Sequence, residues 1–482
     1  MENGRTSSSK AARYLDARRS HWDDIAFVRD EKNWSGGYYH RRLGEIYRFL
    51  CAPGQRVLEI GCGTGHLLAD ARPGFGVGVD VSGEMIRRAA RHYPDLHFIQ
   101  ADAHHLPLGI PFDVIILSDL VNDLFDVQVC FQEIRRLCRP RTRLVINTYS
   151  RLWEVPLRLA QRFGWMTPML PQNWLTVEDL GNLLELADFE MMRHESEILW
   201  PVYTPGLSTL LNRFIAKLWP FRYFNLTNLL VAWPLARTAP AHDPVTVSVI
   251  VPARNEAGNM DGIMRRTPEM GAGTEIVFVE GHSGDDTYAA IGRAMDAHPH
   301  RSARRLRQTG VGKGDAVRLG FSEAKGDVLM ILDADMTVPP ESLPRFYDAL
   351  ITGKGEFING VRLVYPMEKE AMRYLNMIGN KFFSLAFSWL LGQPIKDTLC
   401  GTKVLWKADY QRIADNRAYF GEFDPFGDFD LIFGAVKLNL KIADMPIRYA
   451  EREYGQTNID RWRHGWLLLK MTAFAALRIK FI

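Results

Sequence analysis

Long hydrophobic runs are missing from this chain: no apolar stretch reaches the ~20 residues that a membrane span needs. The two greasiest segments are FFSLAFSWLLG (382–392) and WLLLKMTAFAALRIKFI (466–482), and Lys470, Arg478 and Lys480 interrupt the second. Segments of this kind lie on a lipid surface rather than cross it. Cysteine is scarce. The five thiols at 51, 62, 130, 138 and 400 are odd in number and lack framework spacing, which excludes a disulfide-stapled domain and reads as reduced, cytosolic chemistry. The opening MENGRTSSSKAARYLDARRS has no apolar h-region, so it does not read as a secretory signal. A large excess of either charge is also absent. The net charge of +3 gives no case for a nucleic-acid partner. Arg301, Arg304, Arg305 and Arg307 nevertheless form a basic knot, and Arg461, Arg463, Lys470, Arg478 and Lys480 populate the C-terminus.

What is present is an alternation of short β-rich runs and helical patterns, and it occurs twice. The first series is VLEI (57–60), GVGVD (76–80), LHFIQ (96–100), FDVIILS (112–118) and RLVINT (143–148), with helical stretches such as 83–92 and 124–138 between. The second is VTVSVIV (245–251), EIVFV (275–279), DVLMIL (327–332) and EFING (356–360). This pattern predicts two parallel α/β sheets. Residues 151–236 are less regular, rich in Trp, Pro and Leu, and are expected to cap the first sheet; 237–243 read as a linker. The expected domains are 1–236 and 244–482, the second ending in a membrane-interface segment at 459–482.

In the first half, Gly61, Gly63 and Gly65 follow the VLEI strand. They permit a sharp turn that brings backbone N–H groups to a ligand. The glycines alone suit an ordinary strand–helix turn equally well. With Glu59 before them, Asp80 ending the next strand and Gln100-Ala-Asp102-Ala103 ending the third, the segment 40–150 resembles the class I S-adenosylmethionine-dependent methyltransferases. The resemblance implies a Rossmann-like seven-strand fold. It places Glu59 and the glycines near the methionine moiety, Asp80 on the ribose, and Asp102 with Ala103 at the adenine. A dinucleotide dehydrogenase, which prefers G-x-G-x-x-G, is the competing reading. Methyl transfer to oxygen needs a base; His104 and His105 are candidates, and Asp119 and Asp123 lie at the sheet edge where ligands bind.

In the second half, MILDADMTV (330–338) ends a greasy strand in Asp333 and Asp335. Carboxylates two residues apart on a strand point the same way, and oxygen ligands suit Mg²⁺ or Mn²⁺. Such an ion offsets charge on a diphosphate leaving group. Around them stand VTVSVIVPARNE, VEGHSGDDT and GVGKGDA, the last placing Lys313 in a glycine turn. With LDADMTVPPE, DTLCGTKVL and IRYAEREYGQTNI, residues 245–465 resemble the family 2 inverting glycosyltransferases of the GT-A fold, most of all the dolichol- and polyprenyl-phosphate sugar synthases. The resemblance implies a UDP- or GDP-sugar donor lined by Pro252, Arg254, Glu256, Glu280, Asp285 or Asp286, Lys313 and Asp333, with Asp333 and Asp335 serving ribose and metal. The sequence departs from the pattern at Thr337, where the synthases commonly carry Gln, and at Glu280-Gly-His282, where Asp-Asp-Gly is usual.

A phosphate acceptor is ionised near neutral pH and calls for cations; an alcohol calls for a base. Arg362, Arg448 and Arg452 suit acceptor phosphate, and by resemblance Arg452 belongs to a loop that closes over the phosphates. Asp428 and Asp430 are the candidate bases for an alcohol. The combined expectation is a bifunctional, metal-dependent enzyme, peripheral on the cytoplasmic face of the cell membrane. It passes a sugar to a dolichyl or undecaprenyl phosphate lipid and methylates within the same pathway, since linkage keeps two sites at high effective concentration. The alternatives are a polysaccharide or soluble hydroxyl acceptor, and an N-terminal domain that only binds or scaffolds.

Overall fold

The computed structural model describes residues 2–31, 37–166, 169–235, 245–362, 374–419, 429–447, 454 and 461–481. The chain divides into two compact units, residues 1–237 with 481–482, and residues 238–480.

The first unit is built on a seven-stranded sheet: β1 (Arg56–Ile60), β2 (Phe75–Asp80), β3 (His97–Gln100), β4 (Phe112–Ser118), β5 (Cys138–Tyr149), β6 (Phe189–Glu197) and β7 (Thr227–Pro234). Their order is β3-β2-β1-β4-β5-β7-β6. The first five strands are parallel, and β7 runs antiparallel to both β5 and β6. Strand order reverses between β1 and β4, so a crevice opens at their carboxyl ends. Val57, Leu58 and Ile60 are buried, as an apolar central strand requires. The region expected as a cap contains two strands of the sheet itself. β6 reads FEMMRHESE, and its polar composition conceals it: Arg193 and Glu195 are buried and pair with each other at 2.8 Å.

The second unit carries β8 (Thr246–Ala253), β9 (Gly273–Glu280), β10 (Ser302–Arg307), β11 (Val328–Ile331), β12 (Phe357–Val361), β13 (Lys403–Trp406) and β14 (Ile442–Pro446). The order is β10-β9-β8-β11-β13-β12-β14. β8 to β11 are parallel, β13 is antiparallel to β11 and β12, and β12 pairs with β14 in parallel. The basic knot is edge strand β10. Arg304 pairs with Glu275 at 3.3 Å, while Arg305 and Arg307 lie over the Tyr288 ring at 4.5 and 4.0 Å. These contacts make the knot a structural edge, of the charged kind that blocks strand pairing between molecules.

Helix Tyr374–Leu391 holds the first greasy run. Phe387 and Leu390 are buried, and Phe387 packs on Phe429 and Phe433 at 5.2 and 5.9 Å between ring centroids. Phe382 and Leu385 remain exposed, so one face is core and the other is not. Among the described residues no helix is long and apolar enough to cross a membrane.

Candidate active sites

In the first unit the chain leaves β1 with Gly61, Gly63 and Gly65 at φ 75°, 51° and 79°, left-handed backbone that glycine adopts without a Cβ penalty. Gly61 N and Cys62 N donate to Val79 O at 2.7 and 3.0 Å, and Gly63 N donates to Asp80 Oδ2 at 2.8 Å. Ser82 N donates to Asp80 Oδ1 at 2.9 Å, which fixes the carboxylate beside the glycine turn. Glu59 lies behind the turn. Burial pushes its carboxyl well up, and its Oε2 has no partner. Glu59, Gly61, Gly63, Asp80, Asp102 and Ala103 all line one cavity of about 170 Å³. Gly65 does not line it. A Cβ there would stand 2.8 Å from the Phe98 ring, so this glycine serves packing against β3.

The N-terminal helix Glu2–Glu31 walls the same cavity with Leu15, Arg18 and Trp22. Trp22 Nε1 donates to Asp123 Oδ2 at 2.8 Å, Arg18 pairs with Asp123 at 3.1 Å, and Glu84 N donates to Asp23 Oδ1 at 3.1 Å. Asp123 is therefore the anchor of this helix. Sequence reasoning missed the helix; its only signal is the spacing of Leu15, Arg18 and Trp22 along one helical face.

The two histidines and Asp119 separate clearly. His104 Nδ1 lies 2.6 Å from Asp102 Oδ1, and its Nε2 accepts from Asp126 N at 3.1 Å, so both ring nitrogens are committed to holding the loop. His105 is exposed, with Nδ1 4.0 Å from Asp102. Asp119 stands just past β4 at φ 52° and lines the cavity. Tyr39 Oη donates to it at 3.0 and 3.1 Å, and Asn147 Nδ2 donates at 2.6 Å. Burial pushes its pKa up to about 7 against these bonds and one from Tyr149. Tyr39, Tyr149 and Trp174 form a row with ring centroids 6.0 and 6.5 Å apart. The arrangement is a half-buried carboxyl in the cavity wall, poised to ionise, with an aromatic row behind it.

In the second unit, polar groups gather at the carboxyl ends of neighbouring strands β9, β8 and β11. Pro252 lies within β8 opposite Val279, and Arg254 follows the strand, exposed. Asn255 adopts φ 58°, and its Oδ1 accepts from Gly284 N at 2.7 Å. Buried Glu256 accepts from Asn259 Nδ2 at 2.8 Å, while its own N donates to Thr287 Oγ1 at 3.0 Å. Glu280 Oε1 accepts from Ser283 N at 2.5 Å. Asp285 reaches the loop after β8, 3.5 Å from Ala257 N, whereas Asp286 makes an exposed pair with Arg293 at 2.5 Å. Of the two, Asp285 belongs to the crevice.

Asp333 and Asp335 each have their own close contacts. Lys313 Nζ lies 2.6 Å from Asp333 Oδ1, while Asp335 Oδ1 accepts from Thr337 N and Oγ1 at 3.1 and 2.8 Å. Burial works to raise the Asp333 pKa. Lys313 outweighs it by charge and hydrogen bond, with Lys403 and Arg362 adding to the effect, and the carboxyl is held below its ordinary range. Fully buried Lys403 donates to Asn359 Oδ1 at 3.1 Å and to Cys400 O. Gly401 is packed against both Asp333 and Lys313, and a Cβ there would push their charged ends aside.

Arg362 is held by a group that sequence reasoning missed. Asp397, buried, takes Arg362 Nε at 2.7 Å and Nη2 at 2.8 Å. The signal was the DTLCGTK segment, which supplies both Asp397 and Lys403. Asp430, a candidate base, is instead paired with Arg417 at 2.8 Å in the first turn of helix Phe429–Lys437. Asp428, Arg448 and Arg452 lie outside the described residues, as does the linker 237–243. Of the neighbouring loop only Tyr454 is described, and its ring packs on Gly258 beyond β8. Among the described residues no group of three or more His, Cys, Asp or Glu is placed to hold a metal.

Residues 52–188 match the family model described as a methyltransferase domain, and residues 248–415 match that of glycosyl transferase family 2. The dolichol-phosphate mannosyltransferase of Pyrococcus furiosus is 27% identical over 246 residues, 49% of this chain and 67% of the relative. The undecaprenyl-phosphate 4-deoxy-4-formamido-L-arabinose transferase of Sodalis glossinidius is 34% identical over 222 residues, 44% of this chain and 62% of the relative. The chain thus spans about two thirds of the length of these relatives. Among solved structures, the magnesium protoporphyrin IX methyltransferase of Synechocystis covers 45% of this chain and 99% of its own, at 17% identity and TM-score 0.33. Glucosyl-3-phosphoglycerate synthase of Mycobacterium tuberculosis covers 49% and 80%, at 18% identity and TM-score 0.35.

Proposed function

From a chain that joins a methyltransferase domain to a family 2 glycosyltransferase domain, we propose a bifunctional enzyme of lipid-linked glycan chemistry. The second unit passes a sugar from a nucleotide diphosphate to a polyprenyl phosphate. A phosphate oxygen of the acceptor attacks the anomeric carbon as the bond to the diphosphate breaks, with inversion. The observation that carries this reading is the cluster of cations at the strand ends. Lys313, Lys403 and Arg362 all bear on the carboxylate of Asp333, Arg362 being itself paired with Asp397. Such a setting receives phosphate groups and needs no base. The pairing of Asp430 with Arg417 speaks against an alcohol acceptor that relies on Asp430. The relatives named for dolichol and undecaprenyl phosphates point the same way.

A divalent ion suits Asp333 and Asp335 if the donor's phosphates complete its shell, since Mg²⁺ is commonly held by one or two carboxylates plus substrate phosphates. Bound there, Mg²⁺ or Mn²⁺ offsets charge on the leaving diphosphate. Asp335 is the ligand we assign, with Asp333 beside it and Lys313 on the diphosphate.

In the first unit S-adenosylmethionine fits the residues present. The unpartnered Glu59 oxygen suits the cofactor's ammonium group, Asp80 its ribose hydroxyls, and Asp102 its adenine end. The cofactor supplies a methyl group on a sulfonium. Asp119 takes the proton of the acceptor hydroxyl, and Tyr39 and Asn147 hold it in place. Acceptor and sugar product belong to one pathway. Membrane contact in the second unit runs through the exposed Phe382, Leu385 and Trp466 on the cytoplasmic side.

The deciding experiment is thin-layer analysis of lipid extracts after incubation with a panel of UDP- and GDP-sugars. Radiolabelled sugar should enter a polyprenyl phosphate fraction and vanish on chelation. Label appearing only in water-soluble or polysaccharide product would overturn the lipid reading.

A further inference from the structure

Two limbs of the first unit leave large apolar side chains in water. Helix Glu154–Arg162 has no buried residue. Leu152, Val155, Leu159, Phe163 and Trp165 are all exposed, Trp165 by 80%. The second limb lies between β6 and β7, where Tyr203, Leu210, Trp219, Phe221 and Phe224 are exposed, Trp219 by 77%. The limbs form one patch, because Trp153 Nε1 donates to Phe224 O at 2.9 Å. Soluble monomers rarely expose so much contiguous apolar surface without a partner for it.

Charge identifies the partner. No Asp or Glu occurs from Val155 to Val177, and none from Ile198 to Leu235. Arg151, Arg162 and Arg222 are exposed among the aromatics, and Glu154, at the margin, is paired with Arg158 at 2.6 Å. Lys217, also within the second limb, is buried against Glu197 and belongs to the fold. Aromatic rings and arginines with no carboxylate suit the headgroup zone of an anionic bilayer. A protein partner of ordinary composition would present basic residues as well as acidic ones, and this patch has nothing to meet them.

The geometry points to an anionic lipid surface as the occupant of this patch, docking the methyltransferase unit itself rather than only the glycosyltransferase unit. The first limb follows directly on the carboxyl end of β5, whose Asn147 holds Asp119 and whose last residue is Tyr149. The acceptor end of the cavity is therefore joined to the docking face by a few residues of chain. The methyl acceptor is accordingly an amphipathic, lipid-anchored molecule with its polar end in the headgroup plane. This clause on the acceptor rests on the methyltransferase reading above; the docking itself does not.

Vesicle binding separates the two. The full chain is sedimented with vesicles of phosphatidylcholine alone and with phosphatidylglycerol added, and tryptophan fluorescence is quenched with brominated lipid. The expected result is preferential binding to anionic vesicles. It should weaken by about tenfold or more in Trp165→Ser/Trp219→Ser and lose its anionic preference in Arg162→Glu/Arg222→Glu. Phe382→Ser/Leu385→Ser, which tests the second unit's contact, should leave the first unit's share intact. Unchanged binding in Trp165→Ser/Trp219→Ser, with near-ultraviolet circular dichroism and S-adenosylmethionine affinity retained, would overturn the proposal. So would light scattering that shows a dimer abolished by the same variant, which would make the patch a self-association face. Neither readout needs turnover, so a failure of methyl transfer leaves the docking result standing.

Discussion

Replacing Asp119 by Asn removes an ionisation while keeping the side chain's shape and its oxygen acceptor for Tyr39. In the wild type, burial raises the Asp119 pKa from the ordinary 3.8 to about 7. A carboxyl whose folded pKa is raised binds its proton more tightly in the native state than in the unfolded chain. Native stability therefore falls as pH rises through this window, and the loss is complete above the folded pKa. A gap of about 3 units corresponds to at most about 4 kcal/mol, of which about 2 kcal/mol falls between pH 5.5 and 8. Asp119→Asn has no such loss. Relative to wild type it should gain about 2 kcal/mol of stability on going from pH 5.5 to pH 8, read by urea titration of the first unit's transition at both pH values. Methyl transfer should meanwhile fall by about 10²–10⁴-fold, as expected on loss of a general base, while calorimetry shows S-adenosylmethionine still bound. Stability lost where function needs a strained group is a common trade. Parallel stability curves for the two proteins, or undiminished transfer by the variant, would refute the reasoning.

Three other outcomes follow from the same geometry. Gly401→Ala places a methyl group against Asp333 and Lys313, so sugar transfer should drop on the order of 10²-fold with circular dichroism unchanged. Lys313→Ala removes the main ionic partner of Asp333, and the Michaelis constant for the sugar nucleotide should rise roughly 10–100-fold, in line with about 1.5–3 kcal/mol for a hydrogen bond to a charged group. Gly258→Leu puts a Cβ within 2.6 Å of the Tyr454 ring and should expel it, weakening retention of donor in a dissociation assay without moving S-adenosylmethionine affinity.

The central strands were legible because they are buried on both faces and read as continuous apolar runs, as at Val328 to Ile331. Glycine positions and carboxylates at strand ends were legible for a related reason: few residue types tolerate φ near 75°, or stand at the end of a greasy strand without a task. What stayed hidden depends on pairing across long sequence separations. β6 looks like a polar loop until Arg193 meets Glu195. The helix Glu2–Glu31 carries no motif, and its role comes from Asp123, 101 residues beyond Trp22. On sequence His104 was a candidate base, and Asp119 was only a carboxylate at the sheet edge where ligands bind. Only the contacts show that one has both ring nitrogens committed and the other lies poised in the cavity.

The pair formed by Lys313 and Asp333 gives the candidate transferase site an order of events. As it stands, Asp333 is neutralised by a lysine, and Asp335 is turned onto Thr337. A carboxylate so paired is a poor ligand for a free cation, because the ion would meet the lysine's charge at contact distance. An ion arriving on a diphosphate meets a different balance, since the phosphates supply the negative charge that draws Lys313 away from Asp333. Metal and donor should then enter together, each weak without the other. Lys403 and Arg362 add to the effect of Lys313 in favouring the ionised form of Asp333. On this argument the two aspartates are not a standing metal site. On the proposed reading they hold a metal only together with the substrate's phosphates.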